Sequence, residues 1–111
     1  MNTCQPKILI SQDGFCIAQC QHCQRIGLTF RNLLIGFEQT EFLDLCQTVS
    51  RVNFDESSTV FPGGQLQLVI NTGHPDIQFM LSRQEFTTFS SGLSQASRRI
   101  EMQQLLKIQS N

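Results

Sequence analysis

The sequence predicts an α+β fold: two β-β-β-α units forming a pseudo-duplicated antiparallel sheet with two helices packed on one face. Three observations carry this. Alternating apolar residues form a hairpin pattern twice, at 26–37 and again at 66–81. Each pattern is followed by an apolar stripe of helical period. And 111 residues is one domain's length, so residues 1–111 form a single unit with an internal repeat over 14–53 and 59–108.

The first strand of the first unit contains Phe15 and Ile17, which alternate and can pair with Leu28 and Ile26. Ahead of it, the short Ile8-Leu9-Ile10 run can join the sheet. Ile26, Leu28 and Phe30 then alternate, as do Leu33, Ile35 and Phe37. A two-residue turn at Arg31-Asn32 pairs Phe30 with Leu33, Leu28 with Ile35 and Ile26 with Phe37, placing six apolar side chains on one face. The following helix carries Phe42, Leu45, Cys46 and Val49 on its apolar stripe. Asn53 to Ser58 is a polar, acidic connector.

In the second unit, Val60 and Phe61 precede Pro62-Gly63-Gly64, a turn by composition. Leu66, Leu68 and Ile70 alternate, as do Ile77, Phe79 and Leu81. Pairing 70 with 77, 68 with 79 and 66 with 81 again gathers six apolar residues. The hairpin loop, Asn71 to Asp76, is longer by four residues than its counterpart. Ser82-Arg83-Gln84-Glu85 is a capping box that starts a helix with Phe86, Phe89, Leu93, Ala96 and Ile100 at 3–4 spacing. Gly92 weakens that helix by about 1 kcal/mol and marks a point for a kink. Beyond Ile100 the stripe rotates to Leu105, Leu106 and Ile108, which makes this helix end a candidate homodimer contact. The outer sheet face, with Arg25, Thr29, Gln65, Gln67 and Gln78, reads as wet.

Composition excludes several functions. The net charge is −1, with 8 basic and 9 acidic residues, which does not suit a nucleic-acid backbone. No apolar run is long enough for a membrane span. Met1 to Gln12 lacks the apolar stretch and cleavage site of a signal peptide. Five cysteines, an odd number, fit a closed disulfide framework poorly and point to a reducing, cytoplasmic setting. The partner class is an unidentified protein or small molecule.

The chemistry lies in sulfur. Cys20-Gln21-His22-Cys23 is a C-x-x-C turn between two strands, half of a zinc-type site, and its polar neighbours give no packing reason for two thiols. Cys4, in a polar leader, is the candidate third ligand. His22 lies inside the turn and is expected to face solvent or to orient the ligands. His74 is either a fourth ligand or an ordinary loop residue. Cys46 lies on an apolar helix face and reads as a small core residue. Cys16, about 13 Å along an extended strand from Cys20, is a plain strand position. The spacing Cys16-x-x-x-Cys20-x-x-Cys23 coincides with the radical S-adenosylmethionine signature. That cluster needs a far larger barrel with βα repeats, so the match is taken as chance. No G-x-S-x-G, phosphate loop or H-E-x-x-H is present, and no catalytic or organic cofactor-binding residues are assigned.

Cys4-Gln5-Pro6-Lys7, Cys20-Gln21-His22-Cys23, and Gly27 to Phe37 with Glu41-Phe42 together resemble a family of small bacterial proteins of unknown function. The resemblance lies mainly in the first half. It implies that an N-terminal cysteine and a C-x-x-C before a hairpin belong together, here Cys4, Cys20 and Cys23. It implies no activity.

The expected function is a non-enzymatic binding or adaptor module with a structural zinc knuckle at Cys4, Cys20 and Cys23. The alternative is a small thiol- or metal-dependent enzyme using the C-x-x-C pair with His22 or His74. A redox pair would want its first cysteine at a helix N-terminus, which a strand–strand turn does not supply.

Overall fold

The computed structural model describes residues 5–109, with Ile108 and Gln109 described in backbone only. The chain forms antiparallel sheets with helices, the α+β class its patterning predicts. The strands divide into two sheets. β1 (Pro6–Gln12), β2 (Phe15–Cys20), β3 (Ile26–Phe30) and β4 (Leu33–Phe37) form a four-stranded meander. After α1 (Gln39–Ser50) and the short α2 (Phe54–Ser57), a three-stranded sheet follows, made of β5 (Thr59–Val60), β6 (Leu66–Asn71) and β7 (Gln78–Leu81). The chain then runs into α3 (Arg83–Gln109).

The β3–β4 hairpin has the predicted register: Ile26 faces Phe37, Leu28 faces Ile35 and Phe30 faces Leu33. Arg31 opens its two-residue turn at φ 56°, the left-handed conformation that such turns demand. Its amide donates to the Gly14 carbonyl at 2.6 Å, which ties this turn to the β1–β2 turn.

Two other registers differ from the expected ones by two residues. Phe15 faces Phe30 and Ile17 faces Leu28, so β2 turns into β3 through four residues rather than two. Likewise Ile70 faces Phe79 and Leu68 faces Leu81. A slip of two preserves which face each side chain occupies, so apolar alternation alone does not distinguish the alternatives. The local hydrogen bonds decide. The Thr72 hydroxyl donates to the Ile77 carbonyl at 2.7 Å and accepts from the His74 amide at 3.0 Å. This holds Ile77 in the loop, half-exposed, instead of in the core. Leu66 also lies outside the core, opposite exposed Val60.

The buried faces of both sheets meet α1 and α3 in one continuous core. α1 buries Phe42, Leu45, Cys46 and Val49, as its stripe predicts. α3 buries Phe86, Phe89, Leu93, Ala96 and Ile100 and packs on both sheets. Its start is the predicted capping box: the Ser82 amide donates to Glu85 Oε1 at 2.9 Å, and the Glu85 amide to Ser82 Oγ at 3.2 Å. Gly92 does not break this helix. The ring of Phe15 occupies the space a side chain there would need.

α2 lies within the segment expected as a plain connector. Asn53 Oδ1 accepts the Asp55 and Glu56 amides, which starts the turn, and Phe54 is buried against Phe86. The outer faces are less polar than expected. Leu34, Val69 and Met80 are exposed, and Val69 and Met80 are cross-strand partners. Among the described residues no helix is long and apolar enough to cross a membrane.

Candidate metal centre at the Cys20–Cys23 turn

β2 delivers Cys20 to the end of the four-stranded sheet. Phe15, Ile17 and Gln19 point inward, so Cys16, Ala18 and Cys20 lie on the opposite face. The ladder closes with the Cys20 amide donating to the Arg25 carbonyl at 2.8 Å. The chain then turns so that the Gln24 amide donates to the Cys20 carbonyl at 3.0 Å. Gln24 takes the left-handed conformation, φ 65°, which costs about 1 kcal/mol in a non-glycine residue.

Within this turn the Cys23 amide donates to Cys20 Sγ at 3.5 Å. This N–H fixes the sulfur's direction, as hydrogen-bonding partners do around metal ligands. Cys20 is half-buried and Cys23 exposed.

Glutamines hold the turn from below. Gln19 is only 4% exposed. Its Nε2 donates to the Gln24 carbonyl and to Gln24 Oε1, both at 3.2 Å, and to Gln39 Oε1 at 2.9 Å. Gln24 Nε2 donates in turn to the Gln21 carbonyl at 3.2 Å. Gln39 opens α1, so the network ties the turn to that helix. Gln19 gave no sequence signal, because a glutamine at an inward strand position breaks the apolar pattern without naming its partners.

The leader reaches the turn as the Ile8–Ile10 run suggested. β1 pairs with β2, and Pro6 faces Cys20. The Gln21 amide donates to the Gln5 carbonyl at 3.1 Å. Cys4, the next residue, lies outside the described residues.

The remaining candidates lie apart from this turn or outside its ligand geometry. His22 is exposed within it. His74 sits against Phe37, ring centroids 6.1 Å apart, in a shallow depression lined by α1 and the β6–β7 loop and containing no cysteine. Cys16 pairs with Ser11 and Thr29 on the sheet's outer face. Cys46 is buried, its Sγ donating to the Leu93 carbonyl at 3.5 Å. Burial pushes its thiol up to about 12, so it stays protonated. Among the described residues no three His, Cys, Asp or Glu side chains converge as a metal site would require.

Beside the turn lies a groove of about 740 Å3, bordered by Cys20, Gln19, Gln39 and the last turns of α3.

Compared with known proteins, the whole chain, residues 1–111, matches the model described as "Family of unknown function (DUF6686)". The match extends the resemblance seen mainly in the first half to the full length. No curated protein and no solved structure matches it.

Proposed function

From the premise that the chain belongs to DUF6686, a family that assigns no activity, we propose a non-enzymatic binding or adaptor module built on a zinc knuckle. Cys20 and Cys23 supply two thiolates and Cys4 the third. The Cys23 amide bond to Cys20 Sγ is the observation that carries this reading. It accounts for a left-handed glutamine and a four-residue turn where a shorter hairpin would satisfy the apolar pattern. The Gln5–Gln21 bond supports the third ligand, because one peptide bond joins Cys4 to a residue already fixed against the turn.

Zinc here would tie the leader to the β2–β3 turn and stabilise the folded chain, because ligand binding in the native state adds directly to folding free energy. Cysteine ligands that must stay reduced fit a reducing compartment such as the cytoplasm. The thiol-enzyme alternative would want its first cysteine at the start of a helix, and Cys20 instead ends strand β2.

Metal analysis of purified protein, combined with thiol counting before and after chelation, tests the proposal. One zinc per chain is expected, with three thiols protected until the metal is removed. Thiols that react fully in protein retaining its zinc would overturn it.

A further inference from the structure

We propose that a polar cleft at the Phe15 end of β2, the end away from Cys20, binds a neutral polyhydroxylated ligand of the mono- or disaccharide class. The proposal goes beyond the zinc reading and stands without it. Four segments meet at this cleft: the β1–β2 turn at Asp13 and Gly14, the β3–β4 turn at Phe30 and Arg31, the β6 segment at Gln65 and Gln67, and the first turns of α3. They enclose about 590 Å3, within the range of small-molecule sites.

The walls are held in place by the fold itself. The Arg31 amide donates to the Gly14 carbonyl at 2.6 Å, which joins the two turns. The Arg31 guanidinium pairs with the Glu85 carboxylate, which joins both turns to α3. Glu85 is fixed in turn by the Ser82 amide at 2.9 Å. Gln67 Nε2 donates to Gln65 Oε1 at 3.3 Å, which orients both amides. A site ordered in advance loses less entropy when a ligand binds.

The lining specifies the ligand. Among the described residues its one cation, Arg31, is matched by Glu85, and the further carboxylate, Asp13, disfavours an anion. A single exposed carboxylate gives a cation little hold. The remaining polar side chains are amides and hydroxyls: Gln65, Gln67, Gln84, Ser82 and Thr88. Each of them both donates and accepts hydrogen bonds. The hydroxyls of a sugar do the same, and a planar amide or carboxylate can span two adjacent ones. The cleft also borders the half-buried ring of Phe30. That ring is packed against Phe15, Phe79 and Phe89 at centroid distances of 6.2, 6.0 and 5.8 Å. It offers an apolar surface to the C–H face of a sugar ring, which amides alone would leave unmatched.

The test is a titration of the isotope-labelled full chain, followed through its backbone amide NMR signals. The probes are glucose, galactose, mannose, N-acetylglucosamine, cellobiose and lactose. Triglycine is the control, because a peptide main chain also alternates donors and acceptors. At least one of the sugars is expected to shift the signals of residues 13–15, 30–31 and 82–88 saturably, and triglycine to leave them in place. Gln65 and Gln84 are exposed, so the doubly substituted Gln65→Ala, Gln84→Ala chain should keep its other signals. It is expected to need at least about tenfold more sugar. Thr88→Val, which removes a hydroxyl and keeps the shape, is expected to weaken binding in the same sense. Signals unmoved by all six sugars up to their solubility limits would overturn the proposal. So would an unchanged response from both variants. Triglycine shifting the same signals as strongly as any sugar would also overturn it, and would place a peptide segment in the cleft instead.

Discussion

The ring of Phe15 lies so close over Gly92 that a β-carbon at position 92 would stand 2.1 Å from Phe15 Cε2. The contact joins β2 to the middle of α3. It explains a glycine inside a 27-residue helix, where intrinsic preference argues against one. Phe15 cannot easily yield, because its ring packs against Phe30 and Phe89 at centroid distances of 6.2 and 5.5 Å.

Gly92→Ala should therefore destabilise the fold by about 1–3 kcal/mol despite its better helix propensity. Denaturant unfolding of a double-mutant cycle checks this. In a Phe15→Leu background the alanine should cost at least about 1 kcal/mol less. An alanine that stabilises the unaltered chain would show that the ring and the helix do not meet as described.

Glu85 links the start of α3 to the first hairpin. The Ser82 amide, then the Arg31 guanidinium paired with its carboxylate, hold its pKa below the ordinary 4.5. A carboxylate whose folded pKa is depressed contributes stability that is present above the unfolded value and lost as pH falls through the folded one. Stability should fall below about pH 4.5, and Glu85→Gln should flatten that part of the acid limb. Glu85→Ala removes half of the capping box and should cost about 0.5–2 kcal/mol at neutral pH. Urea midpoints measured from pH 3 to 7 decide both.

Cys46 titrates in the opposite sense. Its folded pKa rises from 9.0 to about 12, so the unfolded chain releases the proton first. Its contribution should be intact below pH 9 and decline between about pH 9 and 12. At neutral pH this thiol should react with a thiol reagent only as fast as the protein opens. Mass spectrometry after brief alkylation should find Cys46 unmodified.

Gln19 supports the candidate metal centre through three donor contacts from one amide nitrogen. Gln19→Leu leaves the strand's buried position filled but the turn's acceptors unpartnered. It should cost about 1–3 kcal/mol and weaken metal retention, because ligand orientation depends on such bonds. Chelator competition would show zinc lost more readily from the variant. Equal retention would separate the glutamine network from the metal centre.

Apolar alternation was enough to place β3, β4 and the inward faces of β2, β6 and β7. Helical period placed α1 and the buried face of α3. Both signals are periodic, so neither could fix a register that slips by two. What decided the β2–β3 and β6–β7 registers was particular side chains: the cysteine turn with left-handed Gln24, and the Thr72 hydroxyl. The role of Gly92 was invisible for a related reason. Its partner, Phe15, lies 77 positions earlier, and no local pattern joins them. At the candidate site the cysteines were legible from spacing alone. Gln19's partners and the groove beside the turn were not, because they assemble from β1, β2, α1 and α3 only once the chain has folded.

X-ray absorption at the zinc edge of the purified full chain addresses the knuckle most directly, since it counts the atoms around the metal. Three sulfurs per zinc at about 2.3 Å, with one lighter donor, are expected. A shell of only nitrogen and oxygen atoms would contradict a metal held by Cys4, Cys20 and Cys23.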